Sequence, residues 1–311
     1  MWTTAMSESQ DLLDMGGGSL RSPRLVTPDL LRSWSLPEPA GTKYARGQVL
    51  VVGGSCTTPG AVMLAGTAAL RMGAGRLTVA TAEGVAMELA VAMPVCGTRS
   101  LPQDEQGFIT GEGVVGLLQD ELARADAVLV GPGLLGGEGT VRLLTAIAGT
   151  LPQPVPLVLD AAAVTTLPDL DRASGNALGG RLVLTPNANE LARLLEVDEV
   201  AEDDVGRATL QISEKLGAVA ACGPWIAADG GLWKVSTGDT GLGTSGSGDV
   251  LSGALVGLVA RGASPLQATV WAKHVHAAAG DVLAARWGRV GYLANEITPE
   301  LPLVLRSLGG D

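Results

Sequence analysis

The stretch Gly241-Leu242-Gly243-Thr244-Ser245-Gly246-Ser247-Gly248-Asp249-Val250-Leu251-Ser252-Gly253 gathers small residues directly ahead of an apolar segment. Such a sequence opens a helix, and the first turn of a helix carries backbone N–H groups without an intrahelical acceptor, in the positive field of the macrodipole. The chemistry this permits is anion binding, of phosphate above all. Asp249 stands in that first turn, where its carboxylate could accept a proton from a substrate hydroxyl. It could equally serve only to complement the dipole. Two common phosphate motifs are excluded: no Lys follows the second Gly as in a Walker A loop, and no acidic residue follows a strand-to-helix turn by about 20 residues as in a dinucleotide fingerprint.

A bound phosphate needs such a local device, because Lys plus Arg number 21 against 32 Asp plus Glu, a net charge of -11. That balance excludes general nucleic-acid binding, which requires a basic stripe. With 46% hydrophobic and 17% charged residues, most of the chain cannot be disordered. The 44 glycines follow no three-residue period, so a collagen-like fold is excluded too. Cys56, Cys96 and Cys222 cannot build a disulfide framework and none has a CxxC partner, which points to a reducing, cytoplasmic setting. The long uncharged stretches are broken by Gly53-Gly54-Ser55, by Thr57-Thr58-Pro59-Gly60 and by Pro152, Pro154 and Pro156, so none is expected to span a membrane. The opening residues lack a basic, apolar signal pattern, and 1–25 are expected to form a flexible leader before a single domain over 26–311.

The elements that must position the Gly-rich segment follow from the alternation of short β-branched runs with Ala/Leu-rich segments, the pattern of βα units around a mostly parallel sheet with helices on both faces. Strands are expected at Val49 to Val52, Arg76 to Ala80, Ala127 to Val130, Pro156 to Leu159 and Leu182 to Leu184. Helices are expected at Ala61 to Met72, Glu83 to Ala90, Thr140 to Ala148, Ser247 to Ala260 and Pro265 to Ala285. Ala218 to Ala228 and Gly231 to Ser236 read as a hairpin around Asp229-Gly230-Gly231. Ligands of an open parallel sheet bind beyond the carboxyl ends of its strands, so the strand endings Gly53-Gly54-Ser55, Gly131-Pro132-Gly133, Asp160 and Thr185-Pro186 are where function is expected.

Six blocks in order resemble the ADP- or ATP-dependent NAD(P)H-hydrate dehydratases of the ribokinase-like superfamily. They are Gly47 to Ser55 with Pro59-Gly60-Ala61, Arg71 to Arg76, Val130 to Leu134, Leu159-Asp160-Ala161, Thr185-Pro186 with Glu190, and Gly246-Ser247-Gly248-Asp249. The resemblance runs from about Val26 to Pro302. It implies an α/β ribokinase-like fold and a nucleotide-driven loss of water from the S epimer of hydrated NADH or NADPH, a metabolite repair. It implies that Ala61, Gly133, Asn187 and Asp249 line the hydrated nucleotide, with Asp249 as base, and that Gly246, Ser247 and Gly248 hold the phosphates of ADP or ATP, with Mg²⁺ neutralising charge. The segment Cys222-Gly223-Pro224-Trp225-Ile226 takes the place of the family's KGxxT near the adenosine. The bacterial form generally uses ADP, assembles as a homotetramer, and is paired with an epimerase; the residues before 26 are too few for a fused epimerase domain.

Three departures stand out. Asn187 replaces the His of TPHxGE; an amide can donate a hydrogen bond but cannot take up a proton near neutral pH. The KGxxT lysine is missing at Cys222, which bears on phosphate binding, and Thr42-Lys43 replaces His-Lys. Two other readings share the Gly-rich turn: a ribokinase-like kinase of a vitamin-precursor alcohol, and a nucleotide-binding sensor without activity. His274 and His276 point about 200° apart on one helix and cannot share a metal; core packing is expected for both, with a supporting role open for His276. Cys222 reads as a buried small residue, Trp225, Trp233 and Trp271 as core, and Asp160 as either a Mg²⁺ or nucleotide ligand or a turn or helix-capping residue. The metal ligands are unassigned.

Overall fold

Successive residues of each apolar run go to opposite faces of the sheet, as strand geometry requires. Val49 and Val51 enter one core, Leu50 and Val52 the other, and Ala127 and Leu129 part from Val128 and Val130 in the same way. Both faces are covered, which is why these runs are apolar throughout.

The computed structural model describes residues 15–39 and 41–310. Ten strands form one sheet: β1 (Arg24–Val26), β2 (Gln48–Val52), β3 (Arg76–Ala82), β4 (Gly97–Leu101), β5 (Ala127–Val130), β6 (Leu157–Leu159), β7 (Leu182–Leu184), β8 (Val219–Cys222), β9 (Trp225–Ala228) and β10 (Gly231–Val235). Their spatial order is β1-β10-β9-β8-β7-β6-β5-β2-β3-β4. Every neighbouring pair is parallel except those made by β9, which is antiparallel to β8 and β10. From β2 the chain proceeds outward through β3 and β4, then returns to place β5 on the other side of β2. The crevice between the carboxyl ends of β2 and β5 is therefore a topological switch point, the place where open α/β sheets bind ligands.

The described helices are α1 (Pro28–Ser33), α2 (Gly60–Arg71), α3 (Glu83–Ala92), α4 (Val114–Arg124), α5 (Glu138–Thr150), α6 (Ala162–Thr165), α7 (Arg172–Leu178), α8 (Ala188–Leu195), α9 (Val205–Leu216), α10 (Ser247–Ala260), α11 (Pro265–Trp287) and α12 (Ala294–Ser307). Helices α2, α10, α11 and α12 cover one face, and α4, α5, α8 and α9 the other. Helix α10 lies directly on α2, because Gly253 and Gly257 let the backbones meet. A Cβ at Gly253 would stand 2.1 Å from the Ala65 carbonyl oxygen, and one at Gly257 2.5 Å from that of Ala69. The Gly-rich turn ahead of α10 is thereby brought to the switch-point crevice.

The expected strands and helices are present within a residue or two at their ends. Two expectations are corrected. The first arm of the hairpin is two strands, since Gly223 adopts φ +52° and Pro224 offers no N–H to a ladder, so the chain turns back from β8 into β9. The leader is structured over its described part: Gly18 exchanges N–H···O bonds of 3.0 and 2.9 Å with Leu232, and β1 pairs with β10. This segment covers an edge that β10 would otherwise expose. Residues 1–14 of the expected leader lie outside the described residues. Among the described residues no helix is long and apolar enough to cross a membrane.

Candidate functional site

Strand β2 runs into Gly53 and Gly54, which tie the crevice together. The Gly53 N–H donates to Ala80 O at 3.0 Å and the Gly54 N–H to Pro132 O at 2.8 Å, so the ends of β3 and β5 are fastened to β2. Thr58 Oγ1 donates to Gly133 O at 2.9 Å. Gly133 has φ +69°, and a Cβ there would lie 3.0 Å from Ala61 Cβ and 3.2 Å from Gly54 Cα. Ala61 and Gly133, far apart in sequence, are therefore neighbours, and with Gly54 they make a wall of backbone and one methyl group.

The next strand ends bring carboxylates. Asp160 follows β6, is 6% exposed, and accepts the Ala161 N–H at 2.9 Å. Burial raises its pKa, while Ser252 and Thr185 hydroxyls and the Ala161 N–H work against that rise. The expected turn role of Asp160 is thus accompanied by a carboxylate facing α10. After β7, Asn187 caps α8: its Oδ1 accepts the Glu190 N–H at 3.0 Å, and Glu190 Oε2 accepts the Asn187 N–H at 2.9 Å. This reciprocal cap occupies the Asn187 oxygen, while the residue itself is exposed. Burial, and then the charge of Asp160, raise the Glu190 pKa.

Gly246, with φ +87°, turns the chain into α10. Burial pushes the Asp249 carboxyl up to about 7, with the Asp160 charge adding to the rise. Ser252, one turn further on, donates to Asp249 O at 3.2 Å. The loop is braced from α11, where His276 Nε2 lies 3.0 Å from Ser247 Oγ. Burial and the nearby Lys273 charge drive the His276 pKa down to about 3, so the ring is neutral. His274 is also buried.

The segment Cys222 to Ile226 is the turn between β8 and β9, at the same edge of the sheet. Gly223 and Pro224 are exposed, whereas Cys222 and Ile226 are buried and can offer a ligand only backbone atoms. Burial raises the Cys222 thiol to about 11, as suits a packed thiol rather than a nucleophile. Trp233 and Trp271 are core residues. Trp225 is half-buried, with Lys234 Nζ 4.6 Å from its ring. Among the described residues no group of three or more His, Cys, Asp and Glu could hold a metal ion.

One rim thus unites the small-residue wall, the Asn187 amide, three carboxylates and the N–H cup of α10. A carboxylate with a pKa near neutrality beside anion-binding amides can take a proton from a hydroxyl while phosphate charge is held. Reading the sequence alone missed the neighbours of Asp160. Ser252 stands three residues after Asp249, one helical turn, and that spacing was the available signal.

A profile of the NAD(P)H-hydrate dehydratase family matches residues 49–303. The ADP-dependent (S)-NAD(P)H-hydrate dehydratase of Xanthomonas campestris pv. campestris is 44% identical over 292 residues, covering 92% of this chain and 97% of the relative. The bifunctional NAD(P)H-hydrate repair enzyme of Moorella thermoacetica is 38% identical over 92% of this chain, which spans 54% of that relative's length. Among solved structures, the ADP/ATP-dependent NAD(P)H-hydrate dehydratase of Bacillus subtilis co-crystallised with ATP/Mg²⁺ superposes with a TM-score of 0.73 at 24% identity, over 92% of this chain and 98% of the other. A ribokinase-like superfamily protein of Enterococcus faecalis gives 0.77 at 23% identity, over 92% and 96%. At these identities the structural likeness is one of fold.

Proposed function

The chain belongs to the NAD(P)H-hydrate dehydratase family, and from that premise we propose that it uses ADP to dehydrate the S epimer of hydrated NADH or NADPH, as a carbon-oxygen lyase of metabolite repair. The observation that carries the reading is the placement of Asp249, its carboxyl pushed up to about 7, in the first turn of α10 beside Gly246-Ser247-Gly248.

Hydroxide is a poor leaving group, so the C6 hydroxyl of the hydrated ring is first converted to a phosphate ester. Asp249 takes the hydroxyl proton as the oxygen bonds to the terminal phosphorus of ADP, and AMP departs with the electron pair of the broken P–O bond. The N–H groups of the α10 turn stabilise charge on the transferring phosphoryl group. The C6–O bond then breaks and phosphate leaves with its electron pair, the ring nitrogen lone pair stabilising C6; the C5 proton passes to water, and its bonding pair restores the ring double bond. Gly54, Ala61 and Gly133 let the flat ring and its phosphates lie against backbone, and the Asn187 amide contacts the substrate without exchanging a proton. The turn Cys222 to Ile226 borders the adenosine.

In the same reading Mg²⁺ accompanies the nucleotide and neutralises phosphate charge. Asp160, Glu190 and Asp249 border the cleft, and their carboxylates would accept hydrogen bonds from waters of an ion carried in with the nucleotide; among the described residues no group of three such ligands forms a cage. A cytoplasmic homotetramer served by a separate epimerase completes the proposal.

Its test is incubation with hydrated NADH, Mg²⁺ and ADP or ATP, following the return of reduced-nicotinamide absorbance. Return that depends on nucleotide supports the reading; no return with either nucleotide from folded protein rejects it.

The acid side of the pH profile follows from Asp249. The base works only when ionised, so kcat/KM is expected to rise with pH through about 7 as a single ionisation. Asp160→Asn removes a like charge, lowers the Asp249 pKa and should move the rise to lower pH. A rise that stays in place in Asp160→Asn would assign the shift to burial alone.

A further inference from the structure

We infer that Lys273 binds the phosphate groups of the nucleotide, supplying from helix α11 the positive charge that the turn after β8 lacks. The inference rests on the proposal that this rim holds ADP.

The sequence has four lysines. Lys43 and Lys234 lie over the rings of Tyr44 and Trp225, at 5.3 and 4.6 Å, and Lys215 donates to Leu194 O at 3.3 Å. Among the described residues, Lys273 has no hydrogen bond, ion pair or ring contact. It is nevertheless drawn in from solvent, and burial brings its ammonium down to about 8. A lysine held for structure alone would meet such desolvation with a counter-charge. Among the described residues no counter-charge meets it, so the ammonium is left to a ligand.

Its position follows from the path of α11. Ser264, Pro265 and Leu266 share a cleft with Ala218 and Val219, so the helix starts beside the beginning of β8, and it packs along that strand. By Ala277 it has passed the carboxyl edge, because a Cβ at Gly238, beyond the end of β10, would lie 3.0 Å from Ala277 Cβ. A helix rises 1.5 Å per residue, so Lys273 stands about 12 Å along from Pro265. Val219 to Cys222 spans about 10 Å. Lys273 is thus level with Cys222, where the exposed Gly223-Pro224 turn begins. Its charge is felt there, working against the burial that raises the Cys222 thiol. One turn later on the same helix face, His276 meets Ser247 in the first turn of α10. Lys273 therefore lies between the β8 turn and the N–H cup of α10, on a rim otherwise bearing Asp160, Glu190 and Asp249. The Ser247 N–H is taken up by Thr244 O, and an unpaired ammonium beside the remaining Gly248 and Asp249 amides suits a di- or triphosphate; its location makes it a nucleotide ligand rather than a contact to the hydrated ring.

The test compares the wild type, Lys273→Met and Lys273→Arg by calorimetric titration with ADP and Mg²⁺, by kcat and KM for each substrate, and by thermal unfolding without ligand. Lys273→Met is expected to weaken ADP binding about ten- to a hundredfold, the range for a lost charge-assisted bond. It should raise KM for ADP, leave KM for hydrated NADH unchanged, and raise Tm, because an apolar chain of similar length replaces an isolated charge. Lys273→Arg should retain most of the affinity. A lowered Tm without selective loss of ADP affinity would mean a structural lysine and overturn the inference. Unchanged ADP affinity in Lys273→Met beside a turning-over wild type overturns it while the dehydratase reading stands; a wild type without ADP affinity overturns both.

Discussion

Asp249→Asn is expected to lower kcat about 10²- to 10⁴-fold, the usual worth of a general base, with ADP affinity largely kept. Asn has the shape of Asp, and Asp249 sits in the first turn of α10, so the turn and its amides are preserved. The same substitution should raise Tm above neutral pH. In the folded protein Asp249 holds its proton up to about pH 7, whereas the unfolded chain releases it near the ordinary value of 3.8. Between those values the folded state binds more protons, so the contribution of Asp249 to stability falls as pH rises through that window. The helix dipole favours the carboxylate, but burial and Asp160 outweigh it, as the raised pKa records. A less active but more heat-resistant variant at pH 8, measured by steady-state kinetics and thermal unfolding, is the signature. Unimpaired turnover would place the base elsewhere.

Gly131→Ala is expected to cost about 3 kcal/mol or more, the scale of a strained backbone combined with a hard clash. Gly131 has φ +135°, and a Cβ there would lie 1.8 Å from the Asp160 carbonyl oxygen. No rotamer relieves a backbone contact. The Gly131 N–H donates to Val52 O at 3.1 Å and the Asp160 N–H to Val130 O at 3.1 Å, so the strain falls where β2, β5 and β6 end together. Activity should drop with stability, since Asp160 moves. Gly136→Ala, where a Cβ meets nothing within 4 Å, should stay within about 0.5 kcal/mol. Urea denaturation of both variants gives the comparison.

Those strand ends were the legible part of the molecule. Small residues after each apolar run marked Gly53, Gly131, Asp160 and Thr185, and the Gly-rich run before an apolar helix gave α10 its bounds. The elements that escaped had mixed signals. Pro299 and Pro302 lie inside α12 and read as helix breakers; β1 is three residues long and pairs only with β10; Gly223-Pro224 hid a reversal inside an apolar run. Asn187 was visible as a departure from a pattern, but its use as a cap depends on Glu190 folding back. Lys273 could not be linked to Cys222 from sequence, because helix α11 brings them level only in three dimensions.

In the proposed mechanism, dehydration proceeds through phosphoryl transfer from ADP, with Asp249 as base. A rapid-quench measurement of inorganic phosphate against restored NADH, with enzyme in excess of the hydrate, addresses it most directly. One phosphate and one AMP are expected for each NADH regained, with all three products slowed together, about 10²- to 10⁴-fold, in Asp249→Asn. NADH regained without AMP and phosphate, or ADP consumed without NADH, would contradict it.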